Sequence, residues 1–302
     1  MDILSVFCDM DDFCSRFEPT WHQHLVAPAS QKRKRASSLA RSEVMTILVL
    51  FQGLHYRTFK HFYWHHVGTD LRADFPGLPS YSRFVELIPP PWSRCAATCR
   101  PARASRRAFS FLLLCPSGSA TNRRIHSHRV FDGFAQRGKG SLGWFYGFKL
   151  HLVVNERGEL LGFCLTPGNT EDRRPVAKLV QALWGKLFGD RGYISQKLFD
   201  ELWAQGLQLI TKLKRGRKNK LMPLLDKLLL RKRALLECGN DQWKNISQIE
   251  HTRHRSAVNG FVNMIAAVVA YTFPPRKPAL DWESVDLQPE KDNSWPPRSS
   301  DA

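Results

Sequence analysis

The most restrictive feature of the sequence is the ten-residue run Tyr146 to Asn155 (YGFKLHLVVN), where aromatic and aliphatic residues recur at every second position. That period belongs to a strand with one buried face. Glu156-Arg157-Gly158-Glu159 reads as a turn and Leu160 to Thr166 as the returning strand, so the two form a hairpin. Downstream the spacing predicts a helix over Pro175–Trp184 and a short strand over Lys186–Gly189 that stops at Asp190. Ser195 then caps a helix to Gln205, Leu207–Thr211 is a buried strand, and Leu221 to about Ile249 is a long helix with a possible break at Pro223. A hairpin followed by strand, helix, strand and helix is an α/β (α+β) pattern, with a mixed sheet flanked by helices. The 302 residues suffice for one large domain or two smaller ones.

Residues 1 to about 88 read as a helical N-terminal region. Ser42 is placed to cap Glu43–Leu54, whose Val44, Ile47, Leu48 and Phe51 fall at helical spacing, and an aromatic run follows over Phe59–Val67. Before these helices stand Lys32, Arg33, Lys34 and Arg35. Four consecutive cations serve either as a solvated face or as phosphate contacts. Behind such an arm, the two helices form either a helix-turn-helix or an ordinary helical subdomain.

Charge narrows the function classes. Against 27 acidic residues stand 45 Lys and Arg, a balance of +18 that calls for a polyanionic partner, nucleic acid being the commonest. Two loops concentrate it: Arg123, Arg124, His126, His128 and Arg129 in one, and Lys214, Arg215, Arg217 and Lys218 in the other. The His-x-His pair has no nearby Cys or carboxylate to complete a zinc site, so phosphate contact is the reading taken. The seven cysteines form no Cys-x-x-Cys pair and read as free thiols of a reducing compartment. Asp2, Asp9, Asp11 and Asp12 argue against a signal peptide, and the apolar stretch Ala257–Phe273, broken by Asn259 and Asn263, reads as a buried helix. The expectation is a cytoplasmic protein with no membrane partner.

One segment departs from the rest. Of the 33 residues from Pro89 to Thr121, 24 are Ala, Arg, Pro, Ser or Cys, and none is Asp, Glu, Lys, Asn, Gln, Ile, Val or Tyr. Apart from Phe109–Leu114 it shows neither helical nor strand period. A Pro/Arg-rich linker is one account. Linkers favour Gly, Glu, Gln and Lys, however, whereas Ala, Arg and Pro are what GC-rich codons yield out of frame. The segment is therefore read as frameshifted.

Two acidic residues carry the candidate chemistry. Asp190, between glycines in FGDRGY, sits where a strand gives way to a loop, a position from which a carboxylate either caps a turn or reaches a metal ion. The long helix contains Leu230-x2-Arg233-x3-Glu237-x6-Lys244, a spacing that puts Arg233, Glu237 and Lys244 on one face. Glu237 then serves as a metal ligand, with Arg233 and Lys244 toward phosphates, unless the helix is simply an ion-paired surface one.

The strings NRRIHSHRVF (Asn122–Phe131), GWFYGFKLHLVVNERGEL (Gly143–Leu160), TPGNTEDRRPV (Thr166–Val176), FGDRGYIS (Phe188–Ser195) and LLLRKRALLECGNDQWKNISQIEHTRHRS (Leu228–Ser256) together resemble bacterial insertion-sequence transposases of the DDE class. In that family the helix signature is Tyr-x2-Arg-x3-Glu-x6-Lys, and here Leu230 replaces the Tyr. The resemblance implies a ribonuclease-H-like core over 122–278, preceded by the helical region over 1–88, a candidate for DNA binding, and by the aberrant 89–121; the polar, Pro-rich 279–302 lies outside the resemblance and reads as a disordered tail. It implies three carboxylates holding two Mg²⁺ or Mn²⁺ ions, one activating the nucleophile and the other stabilising the leaving oxygen. Asp190 and Glu237 are the second and third. The first belongs to an apolar-Asp-Ser-Thr-Pro strand that counting back from Asn122 places at Leu113, and no Asp is there. Asp132 is the nearest substitute in sequence. The implied partners are double-stranded DNA, as transposon ends and target, and a second copy in a homodimer. The rival functions are a DNA-binding remnant without catalysis and a metal-dependent nuclease of the same fold.

Overall fold

Strand β3, Gly143–Asn155, is the longest in the sheet and organises the others around it. The structure is a computed structural model describing residues 1–24, 37–54, 56–88, 109–120, 125, 129–140, 143–212, 222–231, 254–274 and 277. Along one side β3 pairs antiparallel with β1 (Phe109–Ala120), from Ser110↔Asn155 to Ala120↔Tyr146. Along its other side lie β2 (Gln136–Gly140) and then β4 (Leu160–Pro167), both antiparallel. Beyond β1, β5 (Gly185–Gly189) and β6 (Leu207–Thr211) run parallel to it. The expected hairpin is the β3–β4 pair. Its turn closes because Gly158 takes φ +71° and the Asn155 Oδ1 accepts the Arg157 and Glu159 backbone N–H groups.

Each face of the sheet buries a separate apolar layer. On one, Phe111, Leu113, Phe148, Leu150 and Leu152 pack beneath Leu229 and Leu230 of a helix over 224–231 and Met264, Ala267 and Val268 of a later one. On the other, Leu112, Val153, Leu187 and Leu209 pack beneath Val176 and Val180, and Leu198 and Leu202 of the helix Gln196–Ala204. The mixed α/β sheet flanked by helices is thus the fold that the alternation predicts. Ser195 caps as expected, its hydroxyl accepting from the Leu198 N–H. The helix expected over Pro175–Trp184 is confined to Val176–Leu179, since Gly185 at φ +102° turns the chain into β5. The helix over 224–231 begins directly after Pro223, which acts as a start rather than a break.

Two further differences concern local signals. The helix Arg41–Gly53 starts two residues earlier than a cap at Ser42 implied: Ala40 is the cap residue, its N–H donated to the Glu43 carboxylate at 2.6 Å, while Ser42 is buried. Strand β1 extends six residues past the apolar run Phe109–Leu114. Its last β5 partner is at Phe111, so among the described residues Pro116 pairs with β3 alone and a missing N–H breaks no second ladder.

The N-terminal helices Ile3–His24, Arg41–Gly53, Phe59–Phe62 and Tyr81–Leu87 surround a core of their own, including Val6, Ile47, Phe62, Val67 and Phe84. Helix Ala257–Ala270 joins this core to the sheet. Its Val262, Ile265, Ala266 and Ala270 face the N-terminal helices, and Met264, Ala267, Val268 and Tyr271 face the sheet. The Gln52 amide donates to Asn263, which accounts for one of the two polar residues in the run. Among the described residues no helix is long and apolar enough to cross a membrane.

Gly260 in this helix lies against Phe131, and a Cβ there would stand 2.5 Å from Cζ of the buried ring. Alanine gains about 1 kcal/mol of helix propensity over glycine, but overpacking a rigid core costs about 1–3 kcal/mol. Gly260→Ala is therefore expected to lower the midpoint of denaturant unfolding. In a Phe131→Leu background the same substitution should carry no cost. An equal cost in both backgrounds would rule out the ring as its source.

Candidate active site

The carboxyl end of β5, where β1 runs on past it, forms the edge where ligands of such sheets bind. Strand β5 reaches that edge at Gly189, whose Cα packs so closely on Tyr193 that a Cβ would lie 3.3 Å from the ring. Asp190 follows in extended conformation (φ −78°, ψ 172°), exposed, and opens the 3₁₀ turn Arg191–Tyr193. In β1, Phe111 pairs with Phe188 and their rings stack at 5.1 Å. Carried on by two residues, that register brings Leu113 alongside Asp190. Leu113 is 2 % exposed and belongs to the apolar layer with Phe111 and Phe188.

The loop after β4, to which sequence reasoning assigned no chemistry, holds the Asp190 turn from the side. Lys149, the one basic side chain besides the buried His151 on β3, donates to Asp172 at 2.7 Å and to the Thr170 carbonyl at 2.8 Å. Arg173 donates to the Ile194 carbonyl at 3.2 Å, and Asp172 Oδ2 lies 3.8 Å from where a Cβ on Gly192 would sit. The pair Lys149–Asp172 therefore fixes the loop, and the loop braces the Asp190–Ile194 turn. The available signal was Lys149 itself, because a cation on a strand with both faces covered demands a carboxylate partner.

Beside this pair His151 is fully buried, its Nε2 2.9 Å from the Thr166 hydroxyl and its Nδ1 without a partner among the described residues. Burial, opposed by the Asp172 carboxylate and aided by the Lys149 cation, pushes the imidazole down to about 4. At neutral pH it is an uncharged packing group.

Of the residues singled out by sequence, the structure describes Asp190 and Arg129, both exposed. Lys32, Arg33, Lys34, Arg35, Arg123, Arg124, His126, His128, Lys214, Arg215, Arg217, Lys218, Arg233, Glu237 and Lys244 lie outside the described residues. The substitute Asp132 is exposed and acts on Tyr146, whose phenol burial and this carboxylate together push up. Tyr146 stands six residues along β3 from Leu152, the partner of Leu113, or about 20 Å at 3.4 Å per residue. Asp132 is therefore remote from Asp190. Among the described residues no group of three or more His, Cys, Asp or Glu is placed to hold a metal ion.

Residues 114–257 match the family model of the transposase DDE domain. This segment is a DDE-class transposase domain. The match agrees with the mixed sheet, which is of the ribonuclease-H-like kind, and the transposase class acts on DNA and generally uses divalent metal ions. It opens at Leu114, one residue past Leu113 and inside β1. No curated protein matches the chain.

The buried imidazole of the transposase domain sets a pH dependence. Below the ordinary histidine value of about 6.5 the unfolded chain takes up a proton that the native His151 refuses until about 4. Stability should therefore fall between pH 6.5 and 4 and level off below, by an amount on the order of 3 kcal/mol. His151→Gln, which keeps an amide near Thr166, should flatten that part of the curve of unfolding free energy against pH. An unchanged slope would assign the acid sensitivity to other groups.

Proposed function

We propose that this chain is an insertion-sequence transposase that engages transposon ends and target as double-stranded DNA, and that its strand cleavage and transfer are impaired. The observation that carries the impairment is Leu113. By the family pattern the first carboxylate belongs there, and the β1–β5 register, which ends at Phe111↔Phe188, would set that position against Asp190, the second, if carried on by two residues. An aliphatic side chain supplies no ligand. An intact relative would hold two Mg²⁺ or Mn²⁺ ions between three carboxylates. The residues present fall one short, so no cleavage step is assigned to them.

Glu237 as the third carboxylate is supported by the anchoring of the helix over 224–231, from which the sequence spacing counts to it. Lys186 on β5 pairs at 2.8 Å with Asp226, which is 3 % exposed. From Asp226 to Glu237, a helix carried on as the sequence spacing predicts rises about 16 Å. From Lys186 to Asp190 a strand covers about 13 Å. The two lengths are close enough for the carboxylates to meet if helix and strand run the same way. Lys32–Arg35, Arg123, Arg124, His126, His128, Arg129, Lys214, Arg215, Arg217, Lys218, Arg233 and Lys244 are assigned to DNA, and a homodimer bridges two ends. Residues 89–121 are read as out of frame, because their composition and the absent carboxylate coincide. Translation of codons 85 to 122 in the other frames should reveal an apolar strand ending in Asp-Ser-Thr-Pro or a close variant, and its absence from every frame would leave a divergent linker.

The purified protein is expected to bind duplex DNA with an affinity that falls steeply with salt, and to show no Mg²⁺-dependent strand cleavage. Leu113→Asp alone should rescue little, since it buries a lone carboxylate beside Phe111 and Phe188 at a cost of several kcal/mol. Restoring the whole segment should rescue cleavage, and Asp190→Ala or Glu237→Ala should then abolish it. Strong cleavage by the unrepaired protein, lost in Asp190→Ala, would overturn the impairment.

A further inference from the structure

The β2–β3 hairpin projects from the sheet in the direction that the carboxyl end of β1 points. Its Trp144 is 53 % exposed, with the Arg137 guanidinium 4.7 Å and the Lys139 ammonium 5.9 Å from the centre of the indole. Register explains the grouping: Lys139 pairs with Trp144 and Arg137 with Tyr146, so all four side chains share one face. Long cationic side chains lose much rotamer freedom when they bind an anion. Resting on an indole, these two have already lost part of it.

The hairpin is also fixed relative to Asp190. A Cβ on Gly138 would lie 2.2 Å from the Gly168 carbonyl oxygen, and the Gly168 N–H donates to Gly147 at 2.9 Å. Gly168 begins the same loop whose Asp172 and Arg173 brace the Asp190 turn. Along β3, Trp144 stands eight residues from Leu152, the partner of Leu113. At 3.4 Å per residue that is about 27 Å, a length spanned by roughly eight base pairs of B-form DNA. Between Arg129 and Lys149 the chain carries four cations, one of them neutralised by Asp172, and the single acid Asp132.

We propose that Arg137 and Lys139, ordered on Trp144, form a duplex-DNA backbone contact roughly eight base pairs from the Asp190 edge. The inference rests on the transposase reading and extends it to residues that neither the helix signature nor the basic loops include. Each cation takes one phosphate. The rigid link through Gly138 and Gly168 then sets the distance between this contact and the carboxyl end of β5 at Asp190.

The test is fluorescence anisotropy of a 30-base-pair duplex titrated with the full-length protein at several NaCl concentrations. Two phosphate contacts account for about 1.8 units of the slope of log affinity against log salt. The double variant R137Q/K139Q should lose about that much while its unfolding transition stays unchanged. Arg157→Gln, an exposed cation in the β3–β4 turn at the opposite end of β3, should leave the slope as it is. A slope unaltered in R137Q/K139Q, or lowered per charge as much by Arg157→Gln, would overturn the contact while leaving the transposase reading intact. Failure of the unsubstituted protein to bind the duplex at low salt would overturn both.

Discussion

Helix Ala257–Ala270 is apolar around nearly its whole circumference, and that property ties the molecule together. A helix of this kind must be covered on every side. Here two stripes, each at three- and four-residue spacing, are covered by different partners: the N-terminal helices on one side and the sheet on the other. Tyr271, just past its end, donates its hydroxyl to the Gly158 carbonyl and so pins the helix to the β3–β4 turn, with burial pushing the phenol up to about 12. The N-terminal region and the transposase domain therefore share a wall. Whatever the N-terminal helices contact is held in fixed relation to the edge where Asp190 stands.

The parts of this fold that were legible in the sequence are those whose signal is local. Strands β3, β4, β5 and β6 carry alternation or short apolar runs bounded by Gly or Asp, and Ser195 announces its helix. Asp190 is legible for the same reason, because the glycines on either side mark an abrupt strand end. The second half of β1 is not, because Cys-Pro-Ser-Gly-Ser-Ala has no alternation, and its pairing is imposed by the length of β3. The brace at Lys149 and Asp172 joins residues 23 apart, and nothing in either segment alone names the other. Ser42 misled because a serine ahead of an apolar run looks like a cap wherever it stands. Glu43 supplied the contact instead, by accepting the Ala40 N–H.

Phosphate binding and phosphodiester cleavage depend on charge in different ways, so a change that ends one need not end the other. Backbone contact with DNA is a sum over many exposed cations, each worth a similar increment, so losing one lowers affinity by a fraction. Metal-ion chemistry is a product of ligands that must converge within a few ångströms, and an aliphatic residue in one ligand position removes the site rather than weakening it in proportion. In this chain the excess of 45 Lys and Arg over 27 Asp and Glu is spread over loops, arm and hairpin. Leu113 completes an apolar layer with Phe111 and Phe188, so the strand is well packed at that position. The packing that makes β1 a stable central strand is thus the same packing that excludes a charged group from it. On these grounds the scaffold and the basic surface of this chain do not depend on the carboxylate that the proposed impairment removes.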